Sequence, residues 1–143
     1  MKKIAILFAF IFVSTIVLAQ KSDEITGKWL NKDKEAHLHI YKKGNKYYGK
    51  LAWLKNPNDE NGQPKKDSKN PSEELRNRSL LGLEILKGFE YKNGTWEDGT
   101  IYDPKSGKTY SCKMTLDGKN RLNVRGYVGI SLIGRTEVFT RVD

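Results

Sequence analysis

The chain is 143 residues long, with 26 Lys or Arg against 17 Asp or Glu, a formal net charge of +9 and a single cysteine, Cys112. That length is enough for one domain with its own hydrophobic core. A single cysteine excludes an internal disulfide framework.

The first element is an export signal. Met1-Lys2-Lys3 is a short basic head, Ile4 to Val13 is apolar, and the following stretch carries small Val17 and Ala19 ahead of Gln20. These are the three parts of a cleavable signal peptide. The apolar run falls short of the roughly 20 residues a spanning helix needs, and polar Gln20-Lys21-Ser22-Asp23 follows it. No cysteine follows that run, so a lipoprotein anchor has no support. Residues 1–19 are therefore read as a signal cleaved after Ala19, residues 20–143 as a single domain, and the destination as the periplasm or the medium.

Beyond the signal, apolar residues recur with period two between turn signals, which predicts half-buried strands. Ile25–Leu30 is the first. Ala36, Leu38 and Ile40 alternate with His37, His39 and Tyr41, and Lys43-Gly44-Asn45 turns into Tyr47–Leu54. A strand over Leu80–Phe89 is expected, then the hairpin signal Lys92-Asn93-Gly94 and a strand over Thr95–Tyr102. Tyr110, Cys112, Met114 and Leu116 alternate with Ser111, Lys113 and Thr115. Asp117-Gly118 leads into Leu122, Val124 and Val128, whose opposite face carries Asn123, Arg125 and Tyr127. Thr136–Val142 is the last. About eight short antiparallel strands point to an all-β, up-and-down barrel, which removes exposed sheet edges. Lys55–Arg78 breaks the rhythm as a long polar loop of the kind that often binds or covers a site. Pro71 and Ser72 before Glu73-Glu74-Leu75-Arg76 predict one short helix there, capped by Ser72.

Gly27-Lys28-Trp29 opens the first strand and Arg141 lies near the end of the last. A Gly-x-Trp with a late Arg laid over the indole resembles the signature of the calycins, the lipocalin and fatty-acid-binding-protein barrels, in which Trp plugs the floor and Arg stacks on it. Four longer strings add to this: Tyr48–Leu54; Asp67–Pro71 with Leu75–Arg78 and Leu81–Phe89; Trp96–Pro104 with Gly107–Tyr110; and Val124–Gly129 with Gly134-Arg135-Thr136. Together they resemble the small secreted bacterial family known as domain of unknown function 2147. The resemblance implies a calycin-like barrel and implies no activity.

A barrel of eight strands either holds one small ligand or is filled by side chains. Trp53, Trp96, Tyr102, Tyr110 and Tyr127 lie on strands or their ends, where they can line a cavity or belong to the core. Glu84 sits between Leu83 and Ile85; facing inward it needs a partner, and Arg125 is the expected one, either orienting a polar ligand group or serving structure alone. These seven are the candidate ligand-binding residues. Gly129-Ile130-Ser131-Leu132-Ile133-Gly134 is an apolar hairpin tip; it either folds over the barrel end or, through Ile130, Leu132 and Ile133, contacts a membrane surface or partner.

No nucleophile elbow, phosphate loop or zinc-ligand spacing is present, so no catalytic residue, metal or cofactor is expected. His37 and His39 read as a solvated strand face, Cys112 as a buried small hydrophobe, and Asp59, Asn61, Gly62 and Asp67 fail the spacing of a calcium loop. Lysines are scattered over nearly every turn, and in an exported protein such charge suits anionic envelope polymers or lipid head groups better than nucleic acid. Three readings follow: a binding barrel for a small, partly apolar molecule; an envelope interaction module with a filled barrel; and an enzyme.

Overall fold

The alternation seen in the sequence becomes a sheet closed on itself. In the computed structural model, which describes residues 21–143, the strands are β1 (Gly27–Leu30), β2 (Ala36–Lys43), β3 (Lys46–Leu54), β4 (Glu84–Lys92), β5 (Thr95–Asp103), β6 (Lys108–Leu116), β7 (Arg121–Tyr127) and β8 (Gly134–Val142). Each pairs antiparallel with the next, and β8 pairs with β1 through Trp29↔Arg141. Closure leaves no free edge along the paired segments. The export signal and its cleavage point lie outside the described residues.

Buried side chains, two apart on β2, β6 and β7, meet inside: Leu38 and Ile40 of β2, Tyr47 of β3, Leu86 and Phe89 of β4, Trp96 of β5, Cys112 and Met114 of β6, Leu122 and Val124 of β7, and Phe139 of β8. Two glycines make room for them. A Cβ on Gly99 would lie 2.5 Å from the Phe89 ring, and one on Gly49 would lie 2.9 Å from Leu86. Phe89 therefore lies flat over the bare backbone that the neighbouring strand β5 presents at Gly99, beside a register shift between Trp96 and Gly99. The middle of the barrel is packed.

The lower end is sealed by the segment before β1. Ile25 is fully buried and its carbonyl accepts the Trp29 indole N–H at 2.9 Å. Tyr47 donates to Asp23 at 2.6 Å, and the Trp96 indole donates to the Ser22 carbonyl at 3.0 Å. The Arg141 guanidinium lies 4.2 Å over the Trp29 ring and donates to the carbonyls of Lys119, Thr26 and Glu24. The expected Trp–Arg plug is present, with the arginine also tying three chain segments together.

At the upper end the long connection, residues 55–83, is pinned to the barrel. Leu51 and the stretch before β4 exchange two backbone hydrogen bonds, Leu51 N to Leu83 O at 2.9 Å and Gly82 N to Leu51 O at 2.7 Å. Leu83 N also closes a turn on Leu80 O, so the strand expected from Leu80 begins at Glu84 instead. The expected helix is a single 3-10 turn, Glu73–Leu75, and the Ser72 side chain makes no capping bond.

Candidate functional site

Of the seven candidate ligand-binding residues, two are committed to structure. Trp96 is buried in the floor on Ser22. Tyr102 is buried at the upper end and donates to Asp67 Oδ1 at 2.5 Å. Asp67 has no exposed surface; it also accepts from Asn70 Nδ2 and Arg78 Nε, each at 2.9 Å, and pairs with Arg78 Nη2 at 2.9 Å. Burial alone would push this carboxyl up. The donors Tyr102, Asn70 and Arg78, with the Arg78 charge, outweigh that and hold it below the usual carboxylate range. Asp67 is thus the rivet of the long loop, and its oxygens are occupied by protein donors rather than free for calcium. Sequence reasoning passed over this node because no local pattern links Asp67, Asn70 and Arg78 of the loop to Tyr102, 35 residues further on.

Glu84 and Arg125 do not meet. A register shift between Gly49 and Lys50 sets Glu84 opposite Lys50, on the outer wall. There it accepts from the Tyr41 hydroxyl and lies 3.6 Å from Lys43, with its side chain 26% exposed. Burial, then the bond to Glu84, pushes the Tyr41 phenol up to about 12. Arg125 faces outward beside buried Val124 and bonds Ser131 O at 2.7 Å, Thr136 Oγ1 at 3.0 Å and Leu132 O at 3.3 Å. Its role is to brace the tip between β7 and β8. Trp53 is also outside: its ring centre lies 4.7 Å from that of His37, tilted by 39°, and it is 41% exposed. Tyr110 lies opposite Ile101 and Tyr127 opposite Ser111, both half-buried near the upper rim. The seven residues do not form one pocket.

The upper rim still has an opening. Glu137 pairs in register with inward-facing Val124, and Arg135 with Gly126, yet both charged residues are exposed. Inward register with solvent exposure means that water reaches the lumen beside β8. Cys112, deeper in the wall, is fully buried, and burial pushes its thiol up to about 12, which suits a packing residue rather than a nucleophile. Among the described residues no three His, Cys, Asp or Glu side chains group to hold a metal ion.

The tip does not fold back over the barrel. Val128 is 67% exposed, Ile130 59%, Leu132 84% and Ile133 67%. The loop that carries them is closed by Val128 N to Ile133 O at 3.4 Å and Ile133 N to Ile130 O at 3.1 Å, with Arg125 holding two of its carbonyls. An ordered loop with four bare aliphatic side chains is the largest exposed apolar feature among the described residues.

The comparisons with known proteins agree with this architecture and are silent on chemistry. No curated protein matches. A solved structure described as "Protein HP1028 from the human pathogen Helicobacter pylori belongs to the lipocalin family" superimposes with a TM-score of 0.70 at 21% identity, over 83% of each chain. At that identity the likeness is one of fold. A family profile covers residues 27–141, from the glycine of the plug to its arginine, and by that match the chain belongs to the family described as "Uncharacterized protein conserved in bacteria (DUF2147)".

Proposed function

We propose that this protein is a non-enzymatic module of the cell envelope that docks on a lipid surface through the β7–β8 tip. The observation that carries the reading is the tip itself: Val128, Ile130, Leu132 and Ile133 stand in solvent on a braced loop. Burying a Leu or Ile side chain is worth about 1.5–3 kcal/mol, so leaving four exposed is costly unless something covers them. Cations adjoin the tip, with Arg135 exposed on β8 and Lys113 facing Arg125 in register. An apolar tip beside basic residues fits an anionic bilayer surface, where burial and attraction to head groups add. The packed barrel centre supports a surface role over a deep ligand cavity.

The test is co-sedimentation with vesicles of anionic phospholipid and with vesicles of neutral phospholipid. Binding to the anionic vesicles is expected, and Leu132→Ser with Ile133→Ser removes about 3 kcal/mol of burial, close to a hundredfold in partitioning. Absence of binding by the parent, or unchanged binding by the double variant, refutes the reading.

A second reading, a small partly apolar ligand held at the upper rim, has one observation in its favour: the solvent-reached lumen beside Glu137 and Arg135. Its test is native mass spectrometry of protein purified from its own source. A reproducible small molecule, lost on Glu137→Ala, supports it, and a bare mass counts against it.

A further inference from the structure

The outer wall formed by β2 and β3 is unlike the rest of the barrel. Its outward cross-strand pairs, read along the strands, are His37↔Trp53, His39↔Lys50, Tyr41↔Tyr48 and Lys43↔Lys46. Every position is a ring or a cation. The Tyr41 and Tyr48 rings lie 6.3 Å apart and within 20° of parallel, His39 sits 5.8 Å from Tyr41, and His37 lies 4.7 Å from Trp53. The lysines sit beside these plates: Lys43 Nζ is 4.1 Å from the Tyr48 ring centre and Lys50 Nζ is 5.6 Å from that of Tyr41. Lys28 of β1 flanks the row opposite His39. By contrast, the outward pairs Ser111↔Tyr127, Lys113↔Arg125 and Thr115↔Asn123 of β6 and β7 contain a single ring among six positions.

We propose that this wall binds an acidic glycan chain. Each unit of such a polymer has an apolar C–H face and a carboxylate at its rim, and the wall offers aromatic plates with ammonium groups beside them. From His37 to Tyr41 the row runs about 13 Å at the rise of a strand, the reach of a few sugar rings. Charge is complementary: Lys28, Lys43, Lys46 and Lys50 face two carboxylates, Glu84, already engaged by Tyr41 and Lys43, and Glu90, paired with Lys46 at 3.6 Å. His39 stays neutral at neutral pH, because burial and then Lys50 and Lys28 lower its pKa, so binding at neutral pH rests on the lysines. Cross-strand rings also stabilise a sheet by about 0.2–1 kcal/mol a pair, but that role does not call for lysines over their faces or for a half-bare Trp53. A nucleic acid would use the same plates and charges; the export signal read in residues 1–19 favours an envelope polysaccharide instead. This site is separate from the apolar tip.

The experiment titrates the purified protein with short oligogalacturonate, with a neutral cello-oligosaccharide and with a single-stranded oligonucleotide, reading tryptophan fluorescence and heat. Trp53 is the exposed indole; Trp29 and Trp96 are buried. Saturable binding of the acidic oligosaccharide is expected, weakening with salt, about tenfold weaker in Trp53→Ala and in Lys50→Gln, and unchanged in Leu132→Ser. Trp53→Phe, which keeps a ring, retains most of the affinity and separates lost stacking from lost folding. Equal or tighter binding of the neutral sugar or the oligonucleotide overturns the assignment. So does failure of the parent protein to bind the acidic chain, or indifference of its affinity to both Trp53→Ala and Lys50→Gln.

Discussion

Replacing Gly99 by alanine tests whether the barrel is filled. The added Cβ would lie 2.5–2.6 Å from three atoms of the Phe89 ring, closer than carbon atoms approach, and that ring is fully buried. Overpacking of this kind costs about 1–3 kcal/mol, or a fall in Tm of roughly 3–10 °C for a domain of this size. Phe89→Ala alone deletes the ring and costs about 3–5 kcal/mol through the cavity it leaves. In the double variant the clash has no partner, so the cycle is non-additive by about the full cost of Gly99→Ala. Urea unfolding followed by fluorescence and circular dichroism measures all four corners. A Gly99→Ala protein as stable as its parent, with additive effects, would show that the ring is free to move aside. The barrel centre would then be loose enough for a ligand, and the argument that places function on the outside would fail. The same Phe89→Ala protein is expected to gain an apolar cavity that takes up benzene, as dry engineered cavities do.

Two pH effects follow from the buried groups. Asp67 has a depressed pKa, so its contribution is complete above about pH 4 and is lost as pH falls through the folded-state value. Arg78→Met strands the carboxylate and costs about 3 kcal/mol at pH 7, and the gap to the parent in urea midpoint is expected to narrow at pH 3; an equal gap at both would show that Asp67 does not titrate with the pair. At the alkaline end the shifts run the other way. Burial, then bonds to Asp23 and Asp67 respectively, pushes Tyr47 and Tyr102 up to about 12, and burial does the same to Cys112. The unfolded chain ionises these groups from about pH 9 to 10, so unfolding releases protons and stability falls between there and about pH 12. Tyrosinate absorbance rising in step with the loss of β signal is the expected record; titration of these tyrosines well before unfolding would contradict it.

The parts of the structure legible in the sequence are those set by local period. Strict alternation in Ala36–Tyr41 and Tyr110–Leu116 gave β2 and β6, and Asn93-Gly94 marked a two-residue turn whose residues both take positive φ. The plug was readable because Gly27, Trp29 and Arg141 are near the two ends that closure brings together. The face of Glu84 stayed open for a physical reason: one register shift moves a side chain to the other face, and that shift depends on how β3 and β4 pair, which no local pattern reveals. For Arg125 the signal was present. It shares a face with Asn123 and Tyr127, opposite Leu122 and Val124, and that alternation already placed it outside. The Asp67 node was illegible because four donors and acceptors from a loop and a distant strand end converge only in three dimensions.

A packed eight-stranded barrel limits where affinity can arise. With the buried side chains of β2 to β8 meeting inside and residues 21–26 sealing the floor, binding energy must come from the rim and the outer wall, where each contact is partly solvated and worth little alone. Two such surfaces on one rigid scaffold change the arithmetic. The tip lies at the upper end, between β7 and β8, while the ring-and-lysine wall runs along β2 and β3 on a different side of the barrel. Docking by the proposed tip would therefore leave the proposed wall uncovered. An envelope glycan near the bilayer would then be met at high effective concentration, and modest affinities at each surface would multiply. The consequence is specific: vesicles bearing both anionic lipid and tethered acidic glycan should retain the protein far more strongly than either component alone, and Leu132→Ser or Trp53→Ala should each abolish that surplus. If each variant instead removes only its own share of binding, the two surfaces do not act together on one membrane.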